Sequence, residues 1–162
     1  MIHEVSGDIL LTKAQAIAHG IAPNDHFDHG LALHLREKWP SMAKDFRHYA
    51  NQAHPKAGEI WFWGGFNAQV FCLLTQDGDH DHGSKPGRAT TANVNHCLRR
   101  LQHDLEKGVI TSLAIPRLAT GVGGLDWDEV YPLIKSHLGD LKIPVFVYTH
   151  YLIGVQAKEA GL

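Results

Sequence analysis

Cysteine is scarce in this chain: Cys72 and Cys97 are the only two, far apart and in no Cys-x-x-Cys arrangement. That argues against a disulfide framework and leaves two quietly buried thiols as the expectation. Net charge is nearly absent as well, −2 from 15 basic and 17 acidic residues. A balance so close to zero gives no charge argument for a nucleic-acid or membrane partner, so any nucleic-acid contact is expected to be local to one site. No apolar run approaches the roughly 18 residues that a spanning helix needs. The opening Met-Ile-His-Glu-Val has no basic patch followed by an apolar stretch, so no signal peptide is expected and the cytoplasm is the default location. Internal repeats, low-complexity linkers and a second composition regime are all missing. One domain and a monomer are therefore expected.

What is present suits a packed domain. Apolar residues make up 44% and charged residues 20% of the 162, and a fold of this length buries about two-thirds of its unfolded surface. Apolar runs at residues 2–5, 16–22, 60–63, 70–74, 112–116 and 143–148 read as strands. The strands at 60–63 and 70–74 are expected to pair around a Gly64-Gly65-Phe66-Asn67 turn. Residues 30–39 carry Leu31, Leu35 and Trp39 near helical spacing. Pro40 should end that helix, and Ser41 can cap the next, which bears Met42, Phe46 and Tyr49. Thr90 or Thr91 can cap a helix carrying Val94, Leu98, Leu101 and Leu105, ended by Gly108. Residues 126–138 read as a last helix, 76–88 as a polar loop, and 152–162 carry no clear assignment. Strands separated by helices imply an α/β fold, a sheet covered on both faces with ligands at the carboxyl ends of its strands.

Three segments carry chemistry. Ala114-Ile115-Pro116-Arg117-Leu118-Ala119-Thr120-Gly121-Val122-Gly123-Gly124-Leu125-Asp126-Trp127 runs from strand through a three-glycine loop into a helix. Such a loop can turn several amides toward one anion, beside the positive end of the following helix. The plain alternative is a tight turn in which glycine only supplies positive φ. No Gly-Lys-Ser/Thr follows and the loop does not sit at the first strand, which disfavours Walker and dinucleotide-binding loops. Val5-Ser6-Gly7-Asp8-Ile9-Leu10 ends the first strand, and Asp8 can accept from an exocyclic amine or simply cap a turn. Residues 18–32, from Ala18-His19-Gly20 to Gly30-Leu31-Ala32, form a second strand, polar loop and helix start.

In this order and spacing the three segments resemble a macrodomain over about residues 1–150. They look closest to the branch holding the terminal ADP-ribose protein glycohydrolase and the antitoxin macrodomains of DNA ADP-ribosylation systems. The resemblance implies a three-layer α/β/α fold with a mixed, mostly parallel sheet of about six strands over residues 1–152, followed by a tail at 153–162. It implies binding of ADP-ribose, free or on a modified protein or nucleic acid, with no cofactor and no membrane. Asp8 matches the acid that holds the adenine amine, with Ile9 beside it. Asp28, His29 and Gly30 match the first phosphate-side loop. Thr120, Gly121, Val122, Gly123 and Gly124 match the loop around the diphosphate and distal ribose. His19 and Asn24 fall near the distal ribose, and Tyr148 or Tyr151 can pack on the adenine.

The sequence also departs from that branch. Gln76 stands where a lysine is expected, and Gly123 stands where the glycohydrolase carries an aspartate, so a lysine–aspartate mechanism does not transfer. Lys85 lies further along the same loop. His19, Asn24 and His80 are the catalytic candidates, with His29, His82, Asp79 and Asp81 also able to handle protons. The Gly78-Asp79-His80-Asp81-His82-Gly83 stretch alternates ligands like a metal clip. A loop between glycines offers such a site little support, so no metal is expected and a substrate-facing lip is the reading. Two functions stay open: a hydrolase that removes ADP-ribose from a macromolecule or an ADP-ribose derivative, and a non-catalytic ADP-ribose reader.

Overall fold

The computed structural model describes residues 1–65, 67–78 and 87–162. Among them, six strands form one sheet in the order β1-β6-β5-β2-β4-β3. The strands are β1 (Ile2–Gly7), β2 (Ala16–Ile21), β3 (Ile60–Gly65), β4 (Ala68–Leu74), β5 (Leu113–Pro116) and β6 (Val145–Tyr151). Only β3 runs antiparallel to its neighbour. The helices are α1 (Gly30–Lys38), α2 (Pro40–Ala53), α3 (Thr91–Leu105) and α4 (Trp127–Leu138).

Side chains alternate faces along a strand, and that period splits the core in two. Ala16 and Ala18 of β2, Phe71 and Leu73 of β4, and Leu113 and Ile115 of β5 pack against α3 and α4. Ile17, Ile21, Val70, Cys72, Leu74 and Ala114 point the other way, toward α1 and α2. The chain is thus a three-layer α/β/α domain with a mixed, mostly parallel six-stranded sheet. β4, inside the sheet, is almost wholly buried, whereas the edge strand β3 is half-exposed.

Local rules account for the helices. On α3, Val94, Cys97, Leu98, Leu101 and Leu105 recur at three- and four-residue steps and are all buried. Burying each of the larger ones contributes about 1.5–3 kcal/mol. The Thr90 hydroxyl accepts from the Asn93 amide at 3.1 Å and caps this helix, while Gly108 (φ +81°) follows two residues beyond its C-cap. Ser41 does not cap α2: Trp39 holds that position, Pro40 takes the first helical turn and Ser41 lies inside the helix. Proline fits there because the first-turn N–H has no intrahelical partner to lose. β3 and β4 extend to Gly65 and Ala68, so Gly64 and Gly65 belong to the ladder rather than the turn; Phe66 lies outside the described residues.

The last residues, 152–162, fold back over the 3-10 turn Ile9–Leu11 that follows β1. Ala157 joins the core there, and Glu159 is buried. Thr90→Ala is expected to cost about 1 kcal/mol in urea denaturation, the usual worth of an N-cap, whereas Ser41→Ala should be near neutral.

Candidate functional site

β2 and β5 lie side by side and parallel, yet their continuations part company. The chain leaving β2 enters α1 on one face, and the chain leaving β5 enters α4 on the other. Between the two exits the sheet cannot be covered, and a crevice is left at the carboxyl ends of these strands. A cleft of about 390 Å³ opens there, lined by residues of both exit loops together with Ile9, His19, Gly20, Gln76, Tyr148 and Tyr151. That volume suits a small organic ligand.

One wall is the glycine loop after β5. It closes on itself through Leu125 N–H donating to Ala119 O (3.0 Å) and Gly124 N–H donating to Gly121 O (3.1 Å). The Thr120 hydroxyl donates to Arg117 O (2.8 Å). The amides of Thr120, Gly121, Val122 and Gly123 find no acceptor among the described residues, and all four residues line the cleft. Gly123 is buried, and a Cβ on it would stand 2.7 Å from Ala119 O, so no side chain fits. An aspartate at that position is sterically excluded. Gly121 is exposed, and a Cβ on it would meet nothing within 4 Å.

The other wall is the start of α1. His29 is its N-cap and makes no side-chain cap hydrogen bond, and His29, Gly30, Leu31 and Ala32 all line the cleft. First-turn amides cannot be satisfied inside a helix, and the helix dipole adds positive potential. Asp25 sets the loop before α1: its carboxylate accepts from Ala22 N–H (3.0 Å) and Phe27 N–H (2.8 Å). Those bonds hold Phe27 at φ +59°, a left-handed conformation costing about 1–2 kcal/mol. Burial of the Phe27 ring against Phe46 offsets that cost. Ala119, at φ +63°, is the matching strained residue of the glycine loop.

His19 stands on β2 directly opposite Cys72 of β4, and its Nε2 lies 3.2 Å from the Cys72 thiol. The ring is 1% exposed and its Nδ1 has no partner among the described residues. Burial lowers its pKa from 6.5 to about 4, so the imidazole is neutral at physiological pH. Burial, and secondarily the Asp25 charge, push the Cys72 thiol up and keep it protonated. Gln76 takes a structural part, its Nε2 donating to Gly87 O (3.0 Å) and its N–H to Ile21 O.

The structure thus brings Ile9, His19, His29, Gly30, Thr120, Gly121, Val122, Gly123 and Tyr151 to one cleft. Four candidates stand outside its wall. Asp8 is buried at the end of β1, its oxygens accepting from Leu10 N–H (3.0 Å) and Gly154 N–H (2.9 Å). Asn24 lines a neighbouring cavity with Asp77 and Gly78. Asp28 pairs with Arg36 at 2.8 Å, and Gly124, at φ +77°, accepts from Arg88 through its carbonyl. His80, with Asp79, Asp81, His82 and Lys85, lies outside the described residues. Of the two tyrosines, Tyr148 is core and Tyr151 is at the surface of the cleft. Burial, then the charge of the nearby Asp8 carboxylate, raise the Tyr151 pKa.

Sequence reading missed Asp25, His34 and Arg117 in the lining. A basic residue opening an anion-type loop was a usable signal for Arg117, whose guanidinium lies 5.3 Å from the Trp127 ring centroid. Asp25 and His34 sent none, being an ordinary turn acid and a surface-type helix residue.

Fold and cleft define a class: an α/β/α domain with a cleft at its switch point that unpaired main-chain amides line. The chain belongs to the Macro domain family, whose model matches residues 22–134. A DNA ADP-ribosyl transferase–DNA ADP-ribosyl glycohydrolase fusion protein of Thermosipho africanus is 25% identical over 158 residues, spanning 89% of this chain and 40% of the fusion protein. The chain therefore covers less than half the length of that relative. The ADP-ribose glycohydrolase OARD1 of Homo sapiens is 25% identical over 146 residues, covering 90% of this chain and 89% of its own. The solved structure of Thermosipho africanus DarTG in complex with ADP-ribose shares the fold, with a TM-score of 0.78 at 20% identity over 94% of this chain and 42% of that one.

The lowered His19 pKa has a consequence for stability. Between pH 6.5 and about 4 the unfolded histidine binds a proton that the folded one does not. Stability is therefore full above pH 6.5 and falls as pH drops toward 4, by about 3 kcal/mol from this residue. Urea denaturation across that window should show a slope that His19→Gln makes shallower, His137, also lowered by burial, keeping its own part.

Proposed function

We propose that the protein binds ADP-ribose in this cleft and removes it by hydrolysis from a modified macromolecule or an ADP-ribose derivative. One observation carries the binding half: four amides of the loop at residues 120–123 and the first turn of α1 line one cleft at the switch point. Main-chain donors from two loops suit a diphosphate, which offers oxygens over a span that one helix end cannot cover. Tyr151 presents an exposed ring at the Asp8 end, suited to an adenine. The relatives named as ADP-ribose glycohydrolases support the catalytic half.

Within this reading the linkage cleaved is glycosidic or a 1″-phosphate. At neutral pH His19 carries no imidazolium proton to give, so its part is to hold water or the distal ribose through the unpartnered Nδ1. A second reading, binding without turnover, is favoured by Gln76 and Gly123. The first is tied to a backbone carbonyl and the second leaves no room for a carboxylate.

Calorimetry with ADP-ribose tests the binding. Gly121→Glu places bulk and negative charge among the amides without touching packed atoms, and should abolish binding while the circular dichroism stays unchanged. Asp8→Ala should weaken binding by about 1–3 kcal/mol, the loss of a buried hydrogen bond. Wild-type affinity in the Gly121 variant would remove the loop from the site. A panel of ADP-ribosylated protein, DNA and RNA, ADP-ribose-1″-phosphate and O-acetyl-ADP-ribose tests turnover. Activity lost in His19→Ala supports the hydrolase, and silence across the panel with intact binding selects the second reading.

A further inference from the structure

β3 is the outer strand of the sheet, and one of its long sides faces no other strand. Leu74 N–H donates to Glu59 O (2.9 Å), which fixes the phase of the β3–β4 ladder. Main-chain groups alternate direction along an antiparallel strand, so those of Trp61, Trp63 and Gly65 point to β4. The N–H and C=O of Ile60, Phe62 and Gly64 point outward, with no partner among the described residues. A row of this kind is a template for another strand, and folded proteins usually blunt it with charge, proline or a bulge.

None of those devices is present in Ile60-Trp61-Phe62-Trp63-Gly64-Gly65, which has no charge and no proline. The Trp63 ring lies back along its own strand over Gly65, where a Cβ would fall within the ring's own contact distance, and its Nε1 donates to Asp45 (2.8 Å). Phe62 rests on Phe71, with 4.8 Å between ring centroids, and is still 45% exposed. The far edge of the sheet differs. β1 carries Glu4, and the chain beyond β6 is bonded at its end, Asp8 N–H donating to Val155 O (2.6 Å).

The neutral strand also complements itself. Turned about a two-fold axis at Phe62, it sets Phe62 against Phe62, Trp61 against Trp63 and Ile60 against Gly64 of the second copy. Aromatic side chains then meet on both faces, and Ile60 fills the space that glycine leaves open. No charges oppose one another, whereas a charged foreign segment would find no counter-ion on this strand. We propose that β3 is the interface through which two copies of this chain join, antiparallel and centred on Phe62, into one continuous sheet. This departs from the monomer expected from composition. β2 of one copy then runs opposite to β2 of the other, so the two clefts open at opposite ends of the joined sheet and neither is covered.

Sedimentation velocity over a concentration series should show the mass rising from the 18.0 kDa of one chain toward twice that value. Phe62→Lys sets like charges against each other across the axis and should hold the protein at one chain, with ADP-ribose binding and circular dichroism unchanged. Should that variant lose its fold with the Phe71 contact, Gly64→Pro removes an outward N–H, spares the ladder to β4 and should have the same effect. Cross-linking reads the register separately. Cα atoms of a bonded antiparallel pair stand about 5.5 Å apart, within disulfide reach, so Phe62→Cys should give a linked dimer under mild oxidation. Ile60→Cys should not, because Gly64 lies opposite it, and the native Cys72 and Cys97 are buried. A wild-type mass that stays at one chain throughout overturns the proposal, as does a dimer that persists in both edge variants. Equal linking of the two cysteine variants overturns it as well. Each of these results leaves the ADP-ribose reading standing.

Discussion

The arrangement depends on one constraint, the parallel pairing of β2 with β5 under connections that leave to opposite faces. Every helix in the fold must cover one side of the sheet or the other, and at this pair the two obligations diverge. The gap is not a packing failure. It is the place where main-chain donors from two loops can meet without a strand or helix consuming them. The apolar core beneath holds the two exits a fixed distance apart, since shifting either strand by one residue would send the side chains fitted to one core into the other.

Both exit loops are set by their own bonds before any ligand arrives. Asp25 fixes the turn into α1, and the paired bonds of Gly124 and Leu125 fix the glycine loop. Each loop also contains a non-glycine residue in a left-handed conformation, Phe27 and Ala119. Strain of that kind persists only where surrounding structure over-determines the backbone. A preformed cradle spares a ligand the entropy of ordering it, which raises affinity without any new contact.

How much of this was legible in the sequence follows the range of the interactions. The glycine loop and the start of α1 are local patterns, strand then turn then helix, and they read directly. The fates of Tyr148 and Tyr151 depend on the period of one strand and were half legible. Asn24 and Asp28 lie on the right loop, but spacing along an irregular loop does not say which side chains turn inward. The neutrality of His19 comes from its complete burial in the sheet, where Cys72 stands opposite it, a register between strands that no local pattern reveals. Glu159 was invisible for the same reason, because its partners Thr12 and Lys13 come from the other end of the chain. Ser41 misled because a good capping residue was outcompeted by proline one position earlier, which already suits the first turn.

Cys72 sits one side chain behind the cleft, wholly shielded and held as a thiol. Thiol-directed reagents act on thiolates that they can reach, and in the closed fold this sulfur meets neither condition. Alkylation of Cys72 therefore reports the opening of the sheet beneath the site. The domain carries an internal clock for breathing motions of its own binding crevice, readable by mass spectrometry without adding a label.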